Sequence, residues 1–406
     1  MATQRLPRRT FLRWTAIGAT LAIVPRNVLG GPGQAPPSET LGGALIGCGG
    51  RGGGTFGGLG PNVQKLADCD VRFLDKADNK RIYTDFRRVL ERKDVDVVAI
   101  ATPPHWHALI SIAAMQAGKD VLCEKPMTRF IAEGQAIIEA EKRYGRVFQI
   151  GTYGRFDASR NRDKILTRKI MTSGLLKECN AVHIHSGGWK VKEWSGRVNN
   201  QPQEIPKNLD WDMYCGPAPL RPYHPHRTGG THRGYWDYEG GGLSDMGQHY
   251  FEGVNWMYGK DLTSPVRIEA HAAPAHPEAV GMWGWVELTF ADGLTYVFDS
   301  GEWGPRYDRK QARGVSLSDL GEEDRKKVLA MPDPEPLIDF PTAVRTRKKP
   351  GGSAESSHRT ATLLHLANIA IRVGRKIQYD PVKQEIVGDD EANQLVNQPM
   401  RAPWHL

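Results

Sequence analysis

The stretch LGGALIGCGGRGGGTFGG, residues 41–58, decides the fold class. It opens with an apolar run at residues 41–46 that is typical of a buried strand, and a G-x-G-x-x-G motif follows at residues 47–52. Glycines at this spacing permit a tight turn and let the backbone approach a pyrophosphate. The motif alone is weak in a chain with 45 glycines, but the preceding strand and a helix-like stretch at residues 55–67 strengthen it.

The next apolar stretch, VRFLD, predicts a second strand that ends at Asp75. An acidic residue about 20 residues after such a glycine motif can bond the adenosine ribose hydroxyls, so Asp75 is the candidate for this contact. Asp70 and Asp78 are the alternatives if the strand lies elsewhere. Only the seven residues KADNKRI separate Asp75 from Tyr83, which leaves little room for a helix.

Three more apolar runs predict strands at residues 95–102, 119–124 and 147–151, and a helix is predicted at residues 105–117. Strands that are apolar on both faces and alternate with helices are typical of a parallel sheet with helices on both sides. The fold class predicted for this half is therefore α/β, a doubly wound parallel sheet of the Rossmann type.

The second half of the chain has a different pattern. VHIHSGGW, PVRIEAHAA, WGWVELTF and LTYVFDSGEW alternate apolar and polar residues, which predicts an open, mainly antiparallel sheet with one solvated or ligand-facing side. Residues 305–355 are polar and rich in proline and glycine, so we expect a long excursion there. A late helix is predicted at residues 359–374, and Gly374 would end it.

The N-terminus has the features of a targeting segment. The pair Arg8-Arg9 precedes an apolar run at residues 14–24, which is too short for a bilayer core that needs about 20 residues. This pattern predicts a twin-arginine export signal and a periplasmic location. An amphipathic helix with accidental arginines is the alternative, and a signal that is not cleaved would anchor the protein to the membrane.

Composition excludes some function classes. The net charge of +8 includes five arginines of the first 30 residues, which contain no acidic residue. Without them the chain is nearly neutral, so it offers no basic surface for nucleic acid. The five cysteines are scattered and contain no C-x-x-C pair, which indicates free thiols rather than a disulfide framework or a zinc site. The histidines of HPHRTGGTHRGYW lack compact ligand spacing, and we expect no metal.

The stretch GGGLSDMGQHYFEGVNWMYG, residues 240–259, places Asp245 and His249 four residues apart on one helix face. Asp245 can therefore orient His249 or contact a substrate beside it. The three glycines before them would let a ligand approach the helix closely. Taken alone, the pair could equally be a structural cap at a helix start.

Together, IGCGGRG, the E-K-P motif of IATPPHWHALISIAAMQAGKDVLCEKPMT and the Asp-x-x-x-His pair resemble the Gfo/Idh/MocA oxidoreductases. The resemblance extends over roughly residues 41–406. It implies an NAD(P)-binding Rossmann domain at 41–155 and a C-terminal substrate and oligomerisation domain at 156–406, which follow the targeting segment predicted at residues 1–30 and a proline- and glycine-rich linker at 31–40. The short segment after Asp75 departs from the family, whose members usually have a full helix there.

The resemblance also implies site residues. Lys125, Asp245 and His249 would be the catalytic group, with His249 as the base and Lys125 favouring the alkoxide. The cofactor contacts would come from the glycine loop, the acid after the second strand and the loops around the nicotinamide. These contacts are Gly47, Gly49, Arg51, Gly52, Asp75, Thr102, Pro103, His107, Glu124 and Lys125.

The function that follows is an exported NAD(P)-dependent oxidoreductase that acts on a sugar, polyol or glycoside. Because the periplasm supplies no obvious nicotinamide pool, we expect the cofactor to stay tightly bound. Two alternatives remain: a redox-assisted glycosidase or lyase, and a non-catalytic sugar-binding protein with a degraded cofactor site. A homo-oligomer, dimer or tetramer, is expected.

Overall fold

The computed structural model describes residues 40–406 of the chain. The first sheet consists of β1 (Leu41–Ile46), β2 (Val63–Cys69), β3 (Ile82–Tyr83), β4 (Val97–Ile100), β5 (Asp120–Glu124) and β6 (Phe148–Gly151). These strands are parallel and lie in the order β3-β2-β1-β4-β5-β6. This is the order of a Rossmann fold, so the predicted α/β class of this half is confirmed.

Helices cover this sheet and lead into the second half. They are α1 (Gly52–Gly57), α2 (Phe86–Leu90), α3 (His107–Gln116), α4 (Ile131–Tyr144), α5 (Gly154–Ser159), α6 (Arg162–Thr172) and α7 (Trp211–Cys215). Every residue of β4 and β5 is buried, as expected for central strands with helices on both faces. The strands predicted at residues 95–102, 119–124 and 147–151 and the helix predicted at residues 105–117 are confirmed to within a few residues.

The second strand was placed wrongly by the sequence pattern. The structure has a six-residue helix after the glycine loop and then β2, whereas a long helix had been expected at residues 55–67 and a strand at residues 71–75. Gln64 and Lys65 interrupt the apolar residues of β2, and the strand is only partly buried, so it lacks the apolar run of its neighbours. Residues 70–81 form turns rather than a helix.

The second sheet consists of β7 (Val182–Ser186), β8 (Arg267–Ala272), β9 (Trp283–Thr289), β10 (Thr295–Asp299), β11 (Ile377–Asp380) and β12 (Glu385–Ile386). Its order is β12-β11-β8-β9-β10-β7, and all pairings are antiparallel except that of β7 with β10. The predicted open, mainly antiparallel sheet is confirmed.

The remaining helices are α8 (Gly241–Met257), α9 (Glu322–Ala330), α10 (Phe340–Thr346), α11 (Ala354–Val373) and α12 (Asp390–Asn393). Residues from α8 and α11, including Phe251 and Leu364, pack on the apolar face of the second sheet and form its core. Gly374 follows α11 with φ +65°, as predicted. The helices α9 and α10 lie within the excursion expected at residues 305–355. The apolar pattern does not predict α9, because charged residues surround Val328, the one residue of this helix that is buried.

The predicted targeting segment at residues 1–30 lies outside the described residues. Within residues 40–406, no helix has the length and apolar character needed to cross a bilayer. The five cysteines all lie in the described part of the chain, and all are free thiols, as predicted.

Candidate functional site

A cavity of about 730 Å³ runs along the carboxyl ends of the first sheet, where open α/β sheets bind their ligands. Its wall includes Gly49 after β1, Asp70 after β2, Thr102 after β4 and Lys125 after β5. The facing wall comes from the second half of the chain, between residues 206 and 245. The volume is in the range of small-molecule sites, about 300–1,000 Å³.

The glycine loop has the shape that a dinucleotide requires. Gly47 has φ +92°, and a Cβ there would lie 2.5 Å from the carbonyl carbon of Ala101. A Cβ at Gly52 would lie 2.6 Å from the Gly47 carbonyl oxygen, whereas one at Gly49 would meet nothing closer than Arg72 at 3.7 Å. These glycines provide the tight turn, the close helix–strand packing and the open approach to a pyrophosphate. The loop therefore fits the cofactor implied by the family.

Glu124 ties the glycine loop to the end of β5. Its Oε1 accepts hydrogen bonds from Arg51 Nε at 2.8 Å and from Thr55 Oγ1 at 2.9 Å, and its Oε2 accepts from the backbone N–H of Lys125 at 3.2 Å. Arg51 and Glu124 both line the cavity. Both predicted residues are therefore at the site, with Glu124 holding the loop in place.

The acidic residue after the second strand is Asp70, not Asp75. Because β2 ends at Cys69, Asp75 falls in the following turns, is exposed and does not line the cavity. Asp70 is buried and accepts hydrogen bonds from Cys48 N at 2.8 Å and from Arg72 through N, Nε and Nη2 at 3.0, 2.8 and 2.5 Å. Burial raises the pKa of Asp70, but Arg72 outweighs it and holds the pKa below its usual value.

His107 lies behind the cavity rather than in it. Thr102 and Pro103 line the cavity as predicted, but the His107 ring is completely buried between two backbone carbonyls. Its Nε2 lies 2.8 Å from the Thr102 oxygen and its Nδ1 lies 2.7 Å from the Pro126 oxygen. His107 was predicted to contact the cofactor, but it does not line the cavity. It joins the loops after β4 and β5 instead and acts as a positioning residue. Burial lowers its pKa.

Lys125 and Asp245 form a buried ion pair in the wall of the cavity. Lys125 Nζ lies 2.6 Å from Asp245 Oδ1, and the two side chains are 10% and 3% exposed. Arg233 Nε approaches the same oxygen at 2.9 Å. Burial raises the pKa of Asp245, but the two cations outweigh it and hold the pKa below its usual value. Asp245 is therefore ionised and fixes the Lys125 ammonium.

The glycines at the start of α8 pack against other parts of the protein and leave no room for a ligand. Gly241 has φ +69°, and a Cβ at Gly242 would lie 1.5 Å from the Trp189 carbonyl oxygen. Only glycine permits this contact. The expectation that this run opens the helix to a substrate is wrong, because its backbone packs against the chain at Trp189 and thereby fixes the start of α8.

His249 is buried beside the ion pair but makes no hydrogen bond to Asp245. Its ring stacks on Tyr153 with the centroids 4.3 Å apart, and its Nδ1 has no partner within the described residues. Burial and then the charge of Lys125 lower its pKa to about 4. His249 is absent from the lining of the large cavity. His249 thus lies near Lys125 as predicted, but Asp245 pairs with Lys125 and Arg233 and does not orient His249.

Sequence reasoning missed a second group of charged residues on the cavity wall. Arg233, His232 and Glu239 all line it, with His232 Nε2 lying 3.2 Å from Glu239 Oε2. Their signal was present in the run HRGYWDYEGGGLSD, which brings charged residues close to Asp245 in the chain. Within residues 40–406, no group of histidine, cysteine and acidic residues has the arrangement of a metal site.

Comparison with known families matches both halves of the chain. Residues 61–152 match the NAD-binding Rossmann fold of the Gfo/Idh/MocA oxidoreductases, and residues 161–406 match the C-terminal α/β domain of the same family. The second match alone covers more than half of the chain.

Individual proteins give a similar result over shorter lengths. The chain is 35% identical to inositol 2-dehydrogenase of Salmonella typhimurium over 129 residues, which cover 30% of this chain and 37% of that protein. It is 26% identical to a glycosyl hydrolase family 109 protein of Shewanella pealeana over 234 residues, 48% of this chain and 50% of that protein. The chain thus spans half or less of the length of these curated relatives.

A solved structure agrees in fold. The WlbA dehydrogenase of Bordetella pertussis, in complex with NADH and UDP-GlcNAcA, superposes with a TM-score of 0.55 at 18% identity, covering 84% of this chain and 99% of that one. From the two domain matches, together with the Rossmann strand order and the glycine loop, we conclude that the chain belongs to the Gfo/Idh/MocA family of oxidoreductases.

Proposed function

We propose that the chain is an NAD(P)-dependent oxidoreductase that transfers a hydride between a nicotinamide cofactor and a CH–OH group of a sugar, polyol or glycoside. The observation that carries this proposal is the buried Lys125–Asp245 pair, which shares one cavity with a glycine loop of dinucleotide-binding shape. The name of the inositol dehydrogenase relative supports a polyol or sugar as the substrate class.

Lys125 supplies the charge that the reaction needs. A bound nicotinamide would supply the hydride acceptor or donor for the substrate carbon. The Lys125 ammonium stabilises the negative charge that develops on the substrate oxygen as its proton leaves, before and during hydride transfer. Asp245 holds this ammonium at 2.6 Å and is itself held by Arg233 at 2.9 Å. The charge is therefore oriented before the substrate arrives.

His249 is the proposed proton acceptor. Its pKa of about 4 keeps the imidazole neutral at neutral pH, and a neutral imidazole can take a proton from a hydroxyl directly or through one water. Its Nδ1 makes no hydrogen bond within the described residues. Lys125 is close enough for its charge to lower the pKa of His249, so a proton accepted there is readily given up again.

We also infer that the protein is exported in the folded state by the twin-arginine route, with its cofactor tightly bound, and works in the periplasm. Arg8-Arg9 before a short apolar run supports the route. The position of the cavity, which is lined by residues of both halves of the chain, supports retention of the cofactor. An uncleaved signal as a membrane anchor and a dimeric or tetrameric assembly belong to the same proposal.

The experiment that tests this function starts from the full chain as purified. We expect the supernatant of the denatured protein to contain nicotinamide dinucleotide by mass spectrometry. We expect the bound cofactor to be reduced when the native protein meets one member of a panel of sugars, polyols and glycosides. A protein that contains no cofactor and binds neither NAD⁺ nor NADP⁺ in calorimetry would instead favour the non-catalytic sugar-binding alternative.

A redox-assisted glycosidase or lyase is the second candidate, favoured by the similarity to the family 109 glycosyl hydrolase over 234 residues. Oxidation of one sugar hydroxyl would acidify the neighbouring C–H bond, and elimination would then release the aglycone and leave a double bond. In a glycosidase water would add to this double bond before re-reduction returned the hydride, whereas a lyase would keep the double bond in its product. The two functions differ in their cofactor balance. A dehydrogenase accumulates reduced cofactor and a carbonyl product. A glycosidase releases the aglycone of its glycoside with no net change in the cofactor.

A further inference from the structure

The Rossmann half lacks one of its usual helices. Parallel strands are joined by a crossover of a dozen or more residues that is usually helical, but residues 70–81 between β2 and β3 form turns, and β3 has only two residues. The crossover between β2 and β3 therefore has no helix, and the nearest helix, α2 (Phe86–Leu90), comes only after β3. The crossover lies on the flank of the sheet beside Asp70, at one end of the cavity.

A segment from the second half of the chain covers this flank. We call residues 206–215 the covering segment. Its Asp210 donates a backbone hydrogen bond to the Val71 carbonyl at 2.9 Å, and its Asn208 carbonyl accepts one from the Leu74 N–H at 3.3 Å. The Asn208 side chain also donates to the Arg72 carbonyl at 3.3 Å. Main chain thus pairs with main chain across the two halves of the molecule.

The covering segment is held firmly on its other side. Leu209 and Tyr214 are buried in an aromatic cluster against which Val71 packs. The carbonyls of α7 also accept hydrogen bonds from the Rossmann half, with Trp106 Nε1 at 3.0 Å from the Met213 oxygen and His105 Nε2 at 2.8 Å from the Tyr214 oxygen. The segment is therefore a fixed part of the wall.

The order of the strands sets the direction of a dinucleotide in the cavity. The order β2-β1-β4-β5 places Asp70, the glycine loop, Thr102 and Lys125 one after another along the sheet edge. With the reacting end at Lys125 and the pyrophosphate at the glycine loop, the adenosine half extends past Asp70. There the wall is formed by Leu209, Met213 and Tyr214.

We propose that the covering segment forms the subsite for the adenine ring, replacing the missing Rossmann helix. The inference rests on the proposed function, since it assigns the adenosine half of the same cofactor. Leu209, Met213 and Tyr214 offer the apolar and aromatic surfaces that a flat purine requires. Because both halves of the chain then enclose the adenosine, the dinucleotide leaves only when the covering segment moves.

The test uses full-length protein stripped of cofactor with charcoal, and compares AMP with nicotinamide mononucleotide in calorimetry. Met213→Ala and Met213→Glu change a half-buried wall residue, and Leu220→Ala changes an exposed residue outside the cavity. We expect both Met213 variants to bind AMP at least about tenfold more weakly, the scale of an altered apolar contact in a pocket. We expect nicotinamide mononucleotide to bind within twofold of the unmodified protein, and Leu220→Ala to change neither affinity.

Unchanged AMP affinity in both Met213 variants would overturn the subsite. A loss of both affinities together with a lower unfolding temperature would count against it too. The exception is the case in which Tyr214→Phe and Tyr214→Leu, which alter another cavity-lining residue of the covering segment, weaken AMP binding and leave nicotinamide mononucleotide binding unchanged. If the unmodified protein binds NAD⁺ and nicotinamide mononucleotide but not AMP, the subsite fails while the proposed oxidoreductase stands. If it binds no nucleotide at all, both proposals fail.

Discussion

The two ends of the cavity hold their charged groups in different ways. At the end that we propose for the reaction, called the reacting end, Lys125 and Asp245 lie at the end of a central strand and on a long helix, with side chains 10% and 3% exposed. At the end that we propose for the adenosine, called the adenosine end, Asp70 and Arg72 lie on turns, and the Arg72 side chain is 48% exposed. The charged groups of the first end are shielded from solvent, whereas the second end has a half-exposed cation beside the covering segment.

This difference predicts how strongly each end responds to substitution. Breaking a buried ion pair costs about 3–5 kcal/mol because a charge remains without its partner. Removing the buried Asp70 leaves only the half-exposed Arg72, for which the contribution of an exposed pair, about 0–1 kcal/mol, is the closer scale. Substitutions at the reacting end should therefore affect turnover by orders of magnitude. Substitutions at the adenosine end should alter cofactor affinity and choice by smaller factors and leave the chemical step intact.

The largest effect is expected for Lys125→Met, which removes the cation that faces the developing alkoxide. We expect single-turnover rates to fall by about 10³-fold, the upper part of the range for a lost charge-stabilising group. Bound cofactor should remain, because Asp245 keeps Arg233 as its partner. Lys376→Met, at a half-exposed lysine just before β11, is the control. Turnover at the normal rate in Lys125→Met would show that the ion pair is structural.

A smaller loss, about 10²-fold, is expected for His249→Gln as the proposed base. Since burial lowers the pKa of His249 to about 4, the neutral form prevails at neutral pH. As the pH falls, kcat/KM should stay level and then decline with a midpoint near pH 4, rather than near the ordinary value of 6.5. The variant should lose this decline. An unchanged pH profile would assign the proton to another group.

The reacting end could be predicted from the sequence because its residues sit in short motifs next to strongly patterned elements. Val97–Ile100 and Asp120–Glu124 are buried throughout, so their apolar runs mark where the loops begin. The partners of those residues were harder to predict. The bond from Arg233 to Asp245 depends on how the backbone folds back before α8, and no periodic pattern records that path.

The adenosine end could not be predicted for two physical reasons. Gln64 and Lys65 interrupt the apolar pattern of the partly buried β2, so the sequence pattern does not predict this strand. The second strand is predicted too late in the chain as a result, and the acidic residue after it is identified as Asp75 instead of Asp70. The covering segment contacts Val71 through backbone hydrogen bonds across more than a hundred residues, and backbone bonds of this kind leave no signature in side-chain type. What the sequence did indicate was the missing helix, from the short interval before Tyr83.

Asp70 and Asp75 provide a test of the choice between NAD⁺ and NADP⁺. Asp70→Asn removes the charge that neutralises Arg72, so a 2′-phosphate should meet an unpaired cation. We expect the ratio of NADP⁺ to NAD⁺ affinity in calorimetry to rise about tenfold, equal to about 1.4 kcal/mol. Asp75→Asn is the matched control and should change neither affinity. Equal effects of the two substitutions would mean that neither acid contacts the adenosine ribose.

The smallest effect is expected at Tyr153, whose ring stacks on His249 at 4.3 Å. Tyr153→Leu removes the aromatic face, and aromatic pairs are worth about 0.5–1.5 kcal/mol beyond the area they bury, so turnover should fall only a few-fold. The pH profile should be the more sensitive readout. Burial is the main cause of the low pKa of His249, so a less covered ring should titrate at a higher pH and the acid decline should move from about 4 towards 6.5. Tyr153→Phe keeps the ring and should keep the midpoint.

If Tyr153→Leu leaves the midpoint in place while His249→Gln abolishes the decline, the low pKa arises from Lys125 rather than from burial. If both variants leave the profile untouched, His249 carries no proton in the rate-limiting step, and the reacting end relies on the Lys125–Asp245 pair without it.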